Sequence, residues 1–151
     1  MNPHHHHDHQ RTTPLNLKSL RTRFAIRFLR ALKKIQIQEK TLNKNSGTEL
    51  TQSYHKVKVA ADVSMAATVG TKRAWSRAIL SRIRYRRVVA RRKKRAMGRY
   101  KSPSQAQELR RLVPGGEAMD IQCLLDETAH YIKCLTTQVK VMRSIVNYCS
   151  N

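Results

Sequence analysis

The sequence predicts an all-α protein. Apolar residues recur every three or four positions along residues 15–40 and again along residues 120–148, which is the period of an amphipathic helix. A weak strand signal at residues 54–59 has no second strand nearby to pair with. Aromatic residues make up only 5% of the 151 residues, which argues against a large independent core and favours one small domain with tails.

The last third of the chain, residues 102–148, predicts two helices joined by a short loop. Ser102 is suited to cap the first helix, with Pro103 at its first position and Gln105 as the capping-box partner. The helix is expected to end at Val113, because the proline and the two glycines that follow disfavour the α conformation.

The second helix carries an apolar stripe that is longer than the first helix can cover. Asp120 can cap this helix, which runs for about seven turns, or roughly 40 Å at 1.5 Å per residue. Large apolar side chains left in water cost roughly 1.5–3 kcal/mol each, so a second chain is expected to cover the stripe. The predicted dimer interface comprises Leu109, Leu112, Val113, Ile121, Leu124, Leu125, Thr128, Ile132, Leu135, Val139 and Met142.

This two-helix unit resembles the helix-loop-helix of plant basic helix-loop-helix (bHLH) proteins. The resemblance is carried by ELRRLVPGG and by LLDETAHYIKCLTTQVKVM, and it extends over both helices. It implies that two chains pair to form a parallel four-helix bundle. The partners would be bHLH or HLH proteins bound by heterodimerisation, with homodimerisation left open.

Charge is divided unevenly along the chain. Residues 103–151 contain five basic and five acidic residues, so the whole net charge of +22 lies in residues 1–102. Such asymmetry points to a nucleic acid, an acidic partner or the nuclear import machinery.

The basic region, residues 71–101, is predicted to be helical in its first half, where Trp75, Ile79 and Ile83 recur at four-residue spacing. Its second half suits a nuclear localisation signal, and nonspecific contact with DNA phosphates is the alternative role of the same charges. The residues assigned to nuclear localisation or phosphate contact are Arg86, Arg87, Arg91, Arg92, Lys93, Lys94 and Arg95. A nuclear protein is therefore expected.

Specific reading of DNA is predicted to be lost. Typical bHLH members place a His, a Glu and an Arg at four-residue intervals, in a basic helix that enters the major groove. By the resemblance these positions fall at Arg91, Arg95 and Arg99. An arginine cannot accept the hydrogen bond that the glutamate takes from a cytosine amino group, which removes roughly 1–3 kcal/mol of discrimination. Gly98 and Pro103 also interrupt a helix that would have to be continuous.

These departures resemble the atypical plant bHLH group that does not bind the E-box. They are similar in particular to the growth-restraining members that antagonise cell-elongation bHLH activators in brassinosteroid and gibberellin signalling. The resemblance implies a dominant-negative mechanism, in which the chain pairs with a DNA-binding bHLH activator and leaves one competent reading arm. The alternative is a DNA-binding transcription factor that uses its arginines on a non-E-box site, as a homodimer or a heterodimer.

The segments before the basic region are assigned from composition and periodicity. Residues 1–14 are expected to be a disordered His-rich tail without a function. Residues 15–40 predict a basic amphipathic helix, which could contact a membrane surface, a partner's groove or the protein's own later helices. Its FLRAL segment resembles one carried by certain atypical plant bHLH proteins, which favours a protein contact. Residues 41–70 show no sustained period and are expected to be a linker.

No enzyme, cofactor, metal site or membrane contact is expected. The neutral C-terminal helices contain neither a Gly-rich loop nor a clustered His, Asp, Glu or Cys set, and His130 is expected at the surface or in a partner contact. The His-rich tract of residues 1–10 could bind a metal, but a tail without a function is the preferred interpretation. Three cysteines without metal-ligand spacing, no signal peptide and no apolar run of eighteen residues favour a reduced, intracellular protein.

Overall fold

The computed structural model describes residues 16–41, 49–88 and 104–150, and every regular element among them is an α-helix. In chain order these are α1 (Leu17–Thr41), α2 (Glu49–Val69), α3 (Ala74–Val88), α4 (Gln105–Leu112) and α5 (Ile121–Cys149). The all-α prediction is confirmed, and α4 and α5 are the two helices of the helix-loop-helix. Among the described helices, none is long and apolar enough to cross a membrane.

α1 begins at a capped turn and buries one apolar face. The Asn16 side chain accepts a hydrogen bond from the backbone N–H of Ser19 (3.1 Å), which satisfies a donor that the first helical turn leaves free. Leu20, Phe24 and Phe28 follow at four-residue spacing and are buried, and the two phenyl rings stack with centroids 5.5 Å apart. This face packs against α2 and α5, so the protein's own helices occupy it.

α2 occupies most of the segment for which a linker was predicted, and that prediction is wrong. Ala61, Ser64, Met65 and Thr68 recur at helical spacing and are buried, and α2 packs against both α1 and α3. Because most of these side chains are small, the apolar period is weak, and packing against a neighbour rather than intrinsic propensity stabilises the helix. The weak strand signal at residues 54–59 also lies inside α2 and is wrong.

α1 and α2 form an antiparallel hairpin. Near the connection, Glu39 of α1 accepts a hydrogen bond from the Ser53 hydroxyl (3.1 Å) and forms an ion pair with Lys56 at 3.5 Å. Small residues on α2 let the two helices approach closely, so the aromatic rings of α1 are covered. The hairpin supplies the platform on which α3 and α5 pack.

A tight turn at Gly70 leads from α2 into α3. Gly70 has φ +79°, which favours glycine, and its N–H donates to the Ala66 carbonyl, as at a helix C-terminus. The Ser76 hydroxyl donates to the carbonyl oxygens of Gly70 and Arg73. Trp75 is fully buried at the start of α3, where the sequence placed it on the apolar side of a helix.

Candidate dimerisation surface

α4 is a short capped helix, and its cap lies two residues later than predicted. The sequence contains two overlapping Ser-x-x-Gln pairs, Ser102 with Gln105 and Ser104 with Gln107, and the structure uses the second. The Ser104 hydroxyl accepts a hydrogen bond from the Gln107 N–H (3.4 Å), and the Gln107 side-chain oxygen accepts one from the Ser104 N–H (3.3 Å). The backbone at Ser104 is extended (φ −61°, ψ 153°), so α4 begins there and does not continue an earlier helix.

Two glycines and an arginine fix the turn between α4 and α5. Gly115 has φ +81°, a conformation that residues with a side chain rarely adopt. A Cβ atom on Gly116 would lie 2.9 Å from the Arg110 carbonyl oxygen and 3.0 Å from that of Val113. The Arg110 guanidinium donates two hydrogen bonds, of 3.2 and 3.1 Å, to the Met119 carbonyl. α4 is therefore held firmly against the start of α5.

Asp120 caps α5, as the sequence predicts. Its carboxylate accepts a hydrogen bond from the Cys123 N–H (2.9 Å). That hydrogen bond lowers the pKa of Asp120, so the carboxylate is negative where the partial positive charge of the helix N-terminus favours an anion.

One face of α5 is buried inside the chain, under α1, α2 and α3. This inner face comprises Leu124, His130, Cys134, Gln138 and Val141. Gln138 donates a hydrogen bond from Nε2 to Oδ1 of Asp62 on α2 (3.3 Å), so its amide is satisfied. Burial raises the pKa of the Cys134 thiol to about 11, which makes it a neutral, small apolar side chain.

His130 is a buried hydrogen-bond acceptor, which corrects its expected surface or partner-contact position. The Trp75 indole donates from Nε1 to His130 Nδ1 (3.1 Å), and the indole ring packs on Tyr131 with centroids 4.9 Å apart. Burial, reinforced by the positive charge of Arg73, lowers the pKa of His130 and favours the neutral imidazole that this hydrogen bond needs. The one sequence signal for this contact is Trp75 itself, because a buried indole usually finds a hydrogen-bond acceptor. That signal does not say where in the chain the acceptor lies.

Arg73 ties the start of α3 to the first turns of α5. Its guanidinium forms ion pairs with Asp126 and, at 3.6 Å, with Glu127. Glu127 also accepts a hydrogen bond from the Trp75 backbone N–H (3.2 Å), which is one of the free donors at the beginning of α3. The Arg73 side chain is accordingly only 18% exposed, although it belongs to the basic region.

A second face of α5 is apolar and exposed. Leu125, Ile132, Val139 and Val146 are spaced by seven residues, and their exposed fractions are 54–62%. Ile121, Thr128, Leu135 and Met142 form a parallel row, of which Ile121 is exposed and the others are half-buried. The two rows have the spacing of the a and d positions of a heptad repeat, which is the pattern that packs against another helix. These eight residues are called the outer face below.

The predicted interface residues fall into three groups. Leu112, Ile121, Leu125, Ile132 and Val139 are exposed, and Leu109, Thr128, Leu135 and Met142 are half-buried. Val113 and Leu124 are instead buried in the core of the single chain, so they belong to the fold rather than to an exposed surface. The role of the exposed residues in pairing stays a prediction.

The residues assigned to nuclear localisation or phosphate contact are only partly described. Arg86 and Arg87 lie in α3, whereas Arg91, Arg92, Lys93, Lys94 and Arg95 lie outside the described residues. Across the three described ranges, no group of three or more His, Cys, Asp or Glu side chains is placed to hold a metal ion.

Comparison with known proteins places this architecture in a family. The family described as "IBH1-like, N-terminal domain" matches residues 17–87, which correspond to α1, α2 and nearly all of α3. The chain is 31% identical to Transcription factor IBH1 of Oryza sativa subsp. japonica, over 83% of this chain and 77% of the rice protein. No solved structure matches the chain.

Two Arabidopsis thaliana proteins are similar to a comparable degree. Transcription factor bHLH149 is 30% identical over 81% of this chain and 67% of its own length, and Transcription factor IBH1-like 1 is 32% identical over 60% and 75%. The matched N-terminal domain coincides with the three helices that cover the inner face, and the capped helix-loop-helix follows it. The chain therefore belongs to the IBH1-like family of atypical plant bHLH-like transcription factors.

Proposed function

We propose that this transcriptional regulator heterodimerises with DNA-binding bHLH activators through the outer face of α5 and thereby blocks their DNA binding. The observation that carries the proposal is the exposed heptad pattern of Leu125, Ile132, Val139 and Val146. Burying a large apolar side chain is worth roughly 1.5–3 kcal/mol, so four half-exposed ones in register favour a partner helix.

Among the described helices, the packing of the chain closes the inner face of α5 to such a partner and leaves the outer face open. The inner face is occupied by α1, α2 and α3. On α4, Leu112 is 74% exposed, so α4 also offers an apolar contact. A second helix-loop-helix packed against α4 and α5 would complete a parallel four-helix bundle.

The start of α4 supports a loss of DNA reading. A bHLH protein reads bases with a basic helix that continues into the first helix of the helix-loop-helix. Here the extended backbone and the capping box at Ser104 begin α4 anew. Together with the arginines at positions 91 and 95, this supports a heterodimer with a single competent reading arm.

The cellular role is proposed from the family resemblance and the charge pattern. Relatives of this chain are named transcription factors, and the basic run at residues 91–95 suits nuclear import. We accordingly propose a nuclear, negative regulator of cell elongation in brassinosteroid or gibberellin signalling.

The pairing surface is tested by replacing Leu125→Asp or Ile132→Asp. A buried, unpaired carboxylate at a helix interface is strongly unfavourable, so co-precipitation and calorimetric binding of a DNA-binding bHLH partner are expected to fall by at least roughly a hundredfold. Lys133→Asp is the matched control, because Lys133 is exposed and neighbours Ile132 on the same helix.

Circular dichroism should show that all three variants keep the helical content of the parent chain, since each site is exposed. Undiminished partner binding by folded Ile132→Asp would rule out the outer face as the pairing surface.

The block on DNA binding is tested by titrating the chain into a complex between a bHLH activator and its DNA site. Release of the DNA is expected, with Ile132→Asp inactive. The chain alone should bind duplexes of any sequence with similar affinity and a steep dependence on salt. A footprint confined to one short sequence at physiological salt would instead favour the DNA-binding alternative.

A further inference from the structure

A second apolar surface lies between α1 and the C-terminal half of α5, on a different side of α5 from the outer face. This α1–α5 groove encloses about 660 Å³ and is lined by residues that include Ile26 and Leu29 from α1 and Val141, Ile145 and Tyr148 from α5. Val141 is buried at its base, whereas Ile26, Leu29 and Tyr148 are 45%, 48% and 87% exposed. The groove is thus concave, apolar and open along its length.

The segments of α1 and α5 that form the groove carry basic charges only. From residue 17 to residue 38, α1 contains seven lysines and arginines and no acidic residue. Arg21 lines the groove, and the exposed residues Arg30 and Lys33 follow Ile26 and Leu29 by one helical turn. From residue 128 to its end, α5 contains three basic residues and no acidic one. An occupant with negative charge would therefore be attracted along the whole groove.

The chain itself offers no such occupant. Residues 1–15 contain a single acidic residue, residues 42–48 contain none, and residues 89–103 contain seven basic residues and none that is acidic. A second copy of the chain carries a net charge of +22 and would be repelled. The complementary partner is another molecule.

The shape of the surface indicates a helix rather than a membrane or a nucleic acid. The most apolar face of α1, at Leu20, Phe24 and Phe28, is buried and cannot enter a bilayer. A concave apolar groove between two helices accommodates the apolar side chains of an amphipathic helix, whereas a nucleic acid would present phosphates to Ile26 and Leu29.

We propose that the α1–α5 groove binds an acidic amphipathic helix of another protein. Its apolar face contacts Ile26, Leu29, Ile145 and Tyr148, and its carboxylates lie near the basic residues Arg21, Arg30 and Lys33 at the rim. Segments that combine acidic and hydrophobic residues in this way are typical of transcription activation domains, which gives the chemical class of the partner.

The probe is a fluorescein-labelled peptide of about 18 residues, long enough to form a helix on binding, with leucine and phenylalanine on one helical face and aspartate and glutamate elsewhere. Two control peptides have the same composition in scrambled order, or lysine in place of every acidic residue. Fluorescence anisotropy with the full chain is expected to show roughly tenfold tighter binding of the acidic amphipathic peptide than of either control. Raising the salt should weaken that binding.

Leu29→Asp and Tyr148→Ser are expected to weaken peptide binding by roughly tenfold each, while Ile132→Asp on the outer face leaves it unchanged. Tyr148→Ser provides a second test at a highly exposed position, should Leu29→Asp disturb folding.

The two proposals fail separately, because Ile132→Asp abolishes bHLH pairing and Leu29→Asp does not. Equal binding of the scrambled peptide, or unchanged binding by folded Leu29→Asp and Tyr148→Ser, would overturn the groove assignment. If the chain bound phosphatidylserine vesicles but not the peptide, the groove assignment would also be overturned and a membrane contact would be favoured.

Discussion

The two faces of α5 differ in how the rest of the chain covers them, because the inner face is buried and the outer face is largely exposed. Leu124 and Leu125 are neighbours in the chain, yet Leu124 is fully buried and Leu125 is 55% exposed. Successive residues in a helix point about 100° apart, so one leucine enters the single-chain core while the next remains available to a partner. One helix can therefore complete its own domain and still present an intact heptad face.

The inner face makes side-chain hydrogen bonds to other helices, whereas the outer-face hydroxyl of Thr128 donates to the Leu124 carbonyl of α5 itself. His130 and Gln138 are each paired with a group on another helix, Trp75 and Asp62 respectively. Such pairs specify which surface of α3 and α2 meets α5, whereas the outer face offers mainly apolar side chains that any helix with matching heptads could cover. Its pairing specificity is therefore expected to depend on the partner's own flanking residues.

The largest difference in the free energy of unfolding is expected between Leu124→Ala and Leu125→Ala. Truncation of the buried leucine should lower the free energy of unfolding by about 2–5 kcal/mol, because it leaves a cavity. Truncation of the exposed one should change it by about 0.5 kcal/mol or less. Urea denaturation of the chain without a partner measures both, and similar losses at the two positions would contradict the division into inner and outer faces.

A smaller loss of stability than for Leu124→Ala is expected for Gly116→Ala. This variant tests how firmly α4 is held beside the outer face. The added Cβ would meet the Arg110 carbonyl oxygen at 2.9 Å, so the turn must shift at a cost of about 1–3 kcal/mol. Thermal unfolding measures this loss. Glu117→Ala is the control, because Glu117 is exposed and next in the chain. Equal stability of the two variants would mean that the turn has room for a side chain.

The hydrogen bond at His130 predicts that stability depends on pH. The pKa of His130 is lowered in the folded chain, so as the pH falls through the ordinary value of 6.5 the unfolded chain takes up a proton first. The contribution of neutral His130 to the free energy of unfolding is therefore fully present above pH 6.5. It decreases as the pH falls from 6.5 toward the lowered pKa of His130 in the folded chain. Denaturation midpoints between pH 7.5 and pH 5.5 should fall less in His130→Gln, which keeps an acceptor but does not titrate. An identical pH profile for parent and variant would exclude this residue as the cause.

The smallest loss of stability is expected for Arg73→Met. Although Arg73 is largely covered, Asp126 is 55% exposed, so solvent screens the ion pair and its loss should cost about 0.2–1 kcal/mol. High salt should reduce the difference from the parent chain. Arg84→Met, at an exposed site on α3, controls for the change of net charge. A difference that persists in high salt would indicate that Arg73 acts through packing of its aliphatic stem.

Local signals predicted the C-terminal part of the fold well. Asp120 caps α5, the proline and glycines end α4, and apolar residues at three-and-four spacing predicted a long amphipathic α5, because each of these depends on residues close together in sequence. The capping box was placed one Ser-x-x-Gln pair too early, since Ser102 and Ser104 offer the same local chemistry.

Long-range packing accounts for what local signals missed. The family match over residues 17–87 joins segments that the sequence pattern had divided into a helix, a linker and a basic region. α2 has a weak apolar period, because small residues such as Ala61 and Ser64 become core positions only when α1 lies against them.

Local sequence signals suffice to predict that residues 120–148 form a capped helix with apolar residues on more than one face. They also show that the net charge lies in residues 1–102. By the family resemblance, Arg95 stands where typical bHLH proteins have a glutamate. Which of those apolar faces is buried depends on the tertiary contacts of α5 with α1, α2 and α3. Helical periodicity states which side chains share a face, but burial depends on what packs against that face. The hydrogen bond from Trp75 to His130 holds α3 against the inner face, and the ion pairs of Arg73 do so as well. The outer face stays exposed.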